Sequence, residues 1–140
     1  VKIHFSRPLL EYLSPAFPRI EIKKYEGESL GNKIEIEMNL ILFSLPFHVQ
    51  IVEVEEIKSN QYFFVDEGRK LPPFLKYWRH RHELIRDESR GTRIIDHLWA
   101  ETNPYFPEWL LRKVLESQFG KRGPLYRKFF ENKMKELSAL

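Results

Sequence analysis

The sequence predicts an α+β domain in which a curved antiparallel sheet wraps around a long C-terminal helix. Between residues 19 and 102, apolar residues recur with a period of two, the spacing of strands with one dry and one wet face. After residue 107 the period changes to about 3.6, the spacing of an amphipathic helix. A proline-rich stretch over 8–18 leaves room only for brief helical turns. A sheet and a helix that each carry one apolar face bury both by packing together.

Taken in order, residues 1–6 alternate Val1, Ile3 and Phe5 with polar neighbours and read as a short strand. Residues 8–18 place Leu9, Leu10, Leu13 and Phe17 at helical spacings, cut short by Pro8, Pro15 and Pro18. Ile20 and Ile22 restart the alternation, and a turn follows over 27–32. The cleanest strand is 33–42, with Ile34, Ile36, Met38, Leu40 and Leu42 on one face. In the next strand, 46–57, the alternation slips near Ile51 and Val52, which predicts a bulge. Ser59-Asn60 reads as a hairpin turn. Strands follow at 61–66, 74–86 and 92–102, with a loop over 68–73 and a polar turn over 87–91. Helical patterns cover 107–119 and 124–138, and Gly120, Gly123 and Pro124 predict a break or kink between them.

Composition narrows the function. The chain has 140 residues, the size of one domain spanning 1–140, and 14% of them are aromatic, which excludes intrinsic disorder. It has no cysteine, so a disulfide scaffold, a thiol nucleophile and a cysteine-ligated zinc site are excluded. That usage fits a cytoplasmic location. No apolar run approaches the roughly 18–20 residues of a membrane helix, so no integral membrane segment is expected. No signal peptide is legible, and a start on Val1 reads as a trimmed end. The balance of 23 basic against 20 acidic residues is mild and interleaved, the pattern of a solvated surface and not of a nucleic-acid partner. In the tail, Lys121, Arg122, Arg127 and Lys128 alternate with Tyr126, Phe129 and Phe130. That pattern reads as the wet and dry faces of one helix.

The segment 74–84 carries the most chemistry. Alternate residues of a strand share a face, so Trp78, His80 and His82 point one way and Tyr77, Arg79, Arg81 and Glu83 the other. The charged set wants water, which turns the Trp-His-His set inward. On the next strand, Thr92, Ile94, Asp96, Leu98 and Ala100 form the less charged face, and an inward Asp96 lies near both histidines. Two readings stand for His80, His82 and Asp96. Two histidines at i and i+2, with an acid across the hairpin, can share a metal ion. Alternatively, a carboxylate beside imidazoles forms a hydrogen-bonded polar cluster that needs no metal. One His-x-His with one distant acid is a weak metal signature, so the sequence assigns no metal and no cofactor. The same three residues are the candidate catalytic groups, with a histidine as general base. No GxSxG motif and no phosphate-binding glycine loop accompanies them.

The run FFVDE at 63–67, Pro73-Phe74, Tyr77-Trp78-x-His80-x-His82, Gly91-Thr92-Arg93 and Asp96 resembles the START/SRPBCC superfamily. Within it, the chain is most similar to bacterial cyclase/dehydrase-like members of the birch-pollen-allergen-like group. Leu125, Phe129, Lys133 and Leu137 match the spacing of their final helix. The resemblance implies a helix-grip fold of about seven strands, with two short helices after the first strand and a cavity between sheet and helix. Such cavities bind lipids, polyketides or isoprenoid-like molecules. The chain departs from the pattern in the short interval between its first two strands and in the Gly120–Pro124 break.

The expected function is therefore binding of a small hydrophobic or amphipathic molecule by a monomer or weak dimer. The cavity wall would comprise Ile36, Met38, Leu40, Phe64, Leu98, Phe129 and Leu137. Trp78 would also face the cavity, and His80, His82 and Asp96 would supply the polar groups that orient the ligand. A cyclase, dehydratase or hydrolase using a cavity histidine is the alternative, and a protein-interaction module the second alternative.

Overall fold

A computed structural model describes residues 6–15 and 18–139. One short helix, α1 (Arg7–Leu13), leads into six strands: β1 (Arg19–Tyr25), β2 (Lys33–Asn39), β3 (Ser44–Ile57), β4 (Gln61–Lys70), β5 (Leu75–Asp87) and β6 (Gly91–Thr102). Two helices follow, α2 (Glu108–Gly120) and α3 (Arg122–Ser138), separated only by Lys121 and so forming one bent helix. Helix α1 begins at Ser6, whose Oγ accepts the Leu9 amide proton at 3.3 Å. It stops at Ser14, held extended (ψ 137°) ahead of Pro15.

The strands pair antiparallel in chain order, each with its sequence neighbours, and β1 and β6 are the two edges. Register shifts bend the sheet. One falls between Ile51 and Glu53 of β3, where the alternation slips in the sequence; another falls between Ile22 and Lys24 of β1. Lys58 turns the β3–β4 hairpin with φ 60°. The inner face carries a core of Ile34, Val49, Ile51, Phe64 and Trp78, closed by Leu111 of α2. Phe63 and Val65 point to the opposite face and are also buried. On that face the Arg81 guanidinium lies 3.8 Å from the centre of the Phe63 ring, and Arg79 bridges Glu53 and Glu67. A second cluster joins Leu9 and Leu13 of α1 to Tyr126, Leu125, Phe129 and Phe130 of α3, with Ile94 of β6 beside them. No helix among the described residues is long and apolar enough to cross a membrane.

This architecture corrects the expected helix-grip fold of about seven strands. The sheet has six strands among the described residues and stays open. The strand expected over 1–6 lies outside the described residues except for Ser6, which instead caps a helix; Phe17 also lies outside them. One short helix precedes β1, where two were expected after a first strand. The sheet does not grip a long helix. Pro124 cannot donate a backbone hydrogen bond, and the chain bends at Lys121. Helix α3 then packs on α1, and residues 131–139 are exposed throughout because that stretch is mostly polar and charged. Strand β2 also ends three residues early. Ile41 and Leu42 are 90% exposed in the turn that follows it, where the Leu40 amide donates to the Phe43 carbonyl at 2.8 Å.

Burial sets the cost of truncation. Ile51 is 1% exposed, so Ile51→Ala is expected to cost about 2–5 kcal/mol. Leu42→Ser, in the exposed turn, should stay within about 0.5 kcal/mol of the parent. Urea midpoints with matched m-values measure both, and equal losses would contradict the placement of the core.

Candidate functional site

Strands β4, β5 and β6 build the site by register. Asp66 pairs with His80, Phe64 with His82, and Asp96 with His82 across the other hairpin. Alternation then turns Phe64, Asp66, Trp78, His80, His82 and Asp96 to one side of three adjacent strands. The contacts follow. His82 Nε2 lies 2.6 Å from Asp66 Oδ2, and His80 Nε2 lies 2.8 Å from Asp96 Oδ1. Trp78 Nε1 donates to the remaining Asp66 oxygen at 3.0 Å. Two longer approaches, both 3.7 Å, close the square: His80 Nδ1 to Asp66 Oδ2 and His82 Nδ1 to Asp96 Oδ1.

Aromatic rings enclose this square. Phe64 stacks on His82 with ring centres 4.3 Å apart, and the two imidazoles lie 3.6 Å apart. Phe119 of α2 meets His80 edge-on at 5.3 Å. The enclosure governs charge. Burial, and next the neighbouring His82, push the His80 pKa down to about 4, so its imidazole is neutral at pH 7. Burial pushes the Asp66 carboxyl up, but the His82 hydrogen bond, both histidines and Trp78 outweigh it and hold the pKa below its ordinary value. Asp96 behaves alike: burial raises it, while the His80 hydrogen bond, the histidine charges and Arg122 bring it lower. A neutral His80 that donates from Nε2 to Asp96 carries its lone pair on Nδ1, the nitrogen turned toward Asp66.

The square opens onto a cavity of about 280 Å³ between the inner sheet face and the helices. Its walls are mainly apolar, drawn from α1, β1–β5, α2 and the first turns of α3. Of the expected wall residues, Ile36, Met38 and Phe64 line it, as do Trp78, His80 and His82. Asp96 stands behind His80 and does not line it. Leu40 sits in the β2–β3 turn, Leu98 packs against the inner core, and Phe129 belongs to the α1–α3 cluster. Leu137 is 64% exposed on the charged end of α3. Two features escaped the sequence reading. Asp66 is the hub of the square, and its parity with Phe64 was the available signal. Arg122 enters the cavity at the helix break, 4.0 Å above the Phe119 ring.

The opposite face of the same strands holds a contrasting pair. His97 Nε2 lies 2.9 Å from Glu83 Oε2, with His97 40% exposed. No family model, curated protein or solved structure matches the chain.

Two outcomes follow from this geometry. A histidine whose folded pKa is lowered stabilises the fold fully above its unfolded pKa of about 6.5 and loses that contribution as pH falls toward about 4. Stability should therefore drop by roughly 2–3 kcal/mol between pH 7 and pH 4.5. The two carboxylates, whose pKa values are also lowered, add further losses only at lower pH, below their unfolded values. Urea midpoints that do not move between pH 7 and pH 4.5 would contradict a buried neutral His80. Second, Trp78→Phe keeps the ring but leaves one Asp66 oxygen without its donor, at an expected cost of about 1–3 kcal/mol. Thermal or urea unfolding of that variant reads the loss directly.

Proposed function

We propose that the protein binds a small hydrophobic or amphipathic molecule in the cavity between sheet and helices. The observation that carries this is a partly open cavity of about 280 Å³ with mainly apolar walls and few convergent polar groups. Asp66, His80 and His82 supply hydrogen-bonding partners, and Arg122 supplies a cation suited to an anionic head group. The apolar part of the ligand gains by leaving water, roughly 25 cal/mol for each Å² buried. The polar part fixes its orientation.

A second reading is favoured by the carboxylate–imidazole geometry of the square. General-base catalysis needs an imidazole oriented at the substrate, and His80, held by Asp96 at 2.8 Å and lining the cavity, has that form. A cyclase, dehydratase or hydrolase acting on a bound carbonyl compound would use it.

Native mass spectrometry beside the denatured mass tests the binding reading, together with titration by 1-anilinonaphthalene-8-sulfonate, an anionic apolar probe. An organic mass lost on denaturation, or saturable one-to-one uptake of the probe, is expected. Ile36→Trp should fill the cavity and weaken uptake at least about tenfold, while Leu42→Ser leaves it unchanged. A clean apo mass together with no saturable uptake by the folded protein would remove the proposal.

A further inference from the structure

We propose that Asp66, His80 and His82 form a binding site for a divalent transition-metal cation, with Asp96 and Trp78 as its outer supports. The donor atoms of the three residues all lie within 4.8 Å of one another. Asp66 Oδ2 is the shared corner, 2.6 Å from His82 Nε2 and 3.7 Å from His80 Nδ1. Around a tetrahedral ion with metal–ligand bonds of about 2.0–2.2 Å, neighbouring donors sit roughly 3.3–3.5 Å apart. The existing corner needs one contact to open by less than about an ångström and the other to close by a few tenths. Side-chain rotation covers both.

The second layer is in place for His80 and close at hand for His82. Metal-bound histidines usually give their other ring nitrogen to a carboxylate, which fixes the tautomer and raises ligand basicity. Asp96 Oδ1 serves His80 in this way, at 2.8 Å from its Nε2, and lies 3.7 Å from His82 Nδ1, an approach that must shorten before it becomes a hydrogen bond. When the ion binds, His82 Nε2 gives up the proton it shares with Asp66. Asp96 is placed to hold a proton on Nδ1 instead. Trp78 Nε1 anchors the Asp66 oxygen that does not face the histidines.

Charge supports the same assignment. Asp66 is 6% exposed and pairs with no Lys or Arg among the described residues. A buried carboxylate with two imidazole nitrogens beside it is a donor set that suits a cation. Two histidines and one carboxylate, with a further position open toward the cavity, suit zinc and other first-row divalent ions. The Glu83–His97 pair on the outer face has one histidine and one carboxylate and, among the described residues, no third metal-ligating donor. The proposal does not depend on the cavity ligand, because the metal alone is the probe.

The test is titration of chelator-treated protein with Zn2+ alone, by calorimetry, and with Co2+, by visible absorption. One equivalent should bind. Asp66→Asn and His82→Gln should abolish binding, Asp96→Asn should weaken it about 10–100-fold, and His97→Gln should leave it unchanged. Ring-proton NMR of the parent protein decides the matter if a variant does not fold. Zn2+ should shift the His80 and His82 signals and leave His48 and His97 in place. No stoichiometric uptake would overturn the proposal. So would uptake that survives both Asp66→Asn and His82→Gln, or NMR shifts confined to other histidines.

Discussion

An ionised carboxylate taken out of water must find partners that replace its hydration, or the fold that buries it fails. Asp66 is that carboxylate, and much of the inner architecture answers it. Trp78 satisfies one oxygen, and the histidines crowd the other. Those partners arrive only because β4 and β5 pair in one register. A slip of one residue would turn Asp66 outward and leave Trp78, His80 and His82 facing an apolar wall. The polar square therefore specifies the strand pairing as much as the pairing positions the square. The surrounding rings reinforce this. With Phe64 and Phe119 against the imidazoles, the local dielectric is low, hydrogen bonds are strong, and a bare charge on His80 is unfavourable.

The cavity exists because the two layers do not close on each other. Bulges at Lys23 and Val52 bend the sheet, so its inner face is concave. Helix α2 covers part of the concavity through Leu111, and α1 covers part through Leu9 and Leu10. Helix α3 contributes only its first turns, because the rest is too charged to leave water. A straight apolar helix lying along the sheet would fill the space with side chains. The bend leaves about 280 Å³ between the layers.

Much of this was legible in the alternation of single strands. The faces of β2 and β5, the slip in β3 and the inward set of β6 all follow from a period of two. Trp78, His80 and His82 share one side for that reason alone, and the lower charge of its face turned Asp96 toward them. What periodicity does not carry is a partner. The 3.6 spacing of Met134 and Leu137 marks a helical stripe, yet both are exposed because no element among the described residues faces them. Leu40 and Leu42 continue the β2 pattern, but the chain turns beneath them, since alternation contains no stop signal. Asp66 was missed for a different reason. Its importance lies in the register of two hairpins, and register is a property of pairs of strands, invisible in either strand alone.

The break between α2 and α3 unites the correction of the fold with the chemistry of the site. Gly120 ends one helix, and Pro124 in the first turn of the next has no amide proton to give the Gly120 carbonyl. A continuous helix was the condition for a sheet to grip it, so the break removes that fold. It also places Arg122 at the bend. There the guanidinium lies over Phe119, helps to hold Asp96 ionised, and becomes the sole Lys or Arg lining the cavity among the described residues. An unbroken helix would carry residue 122 onward along its own axis. The glycine and proline that spoil the expected packing thus bring a cation beside the buried carboxylates. The polar end of the cavity is in this sense a consequence of a helix that cannot run straight.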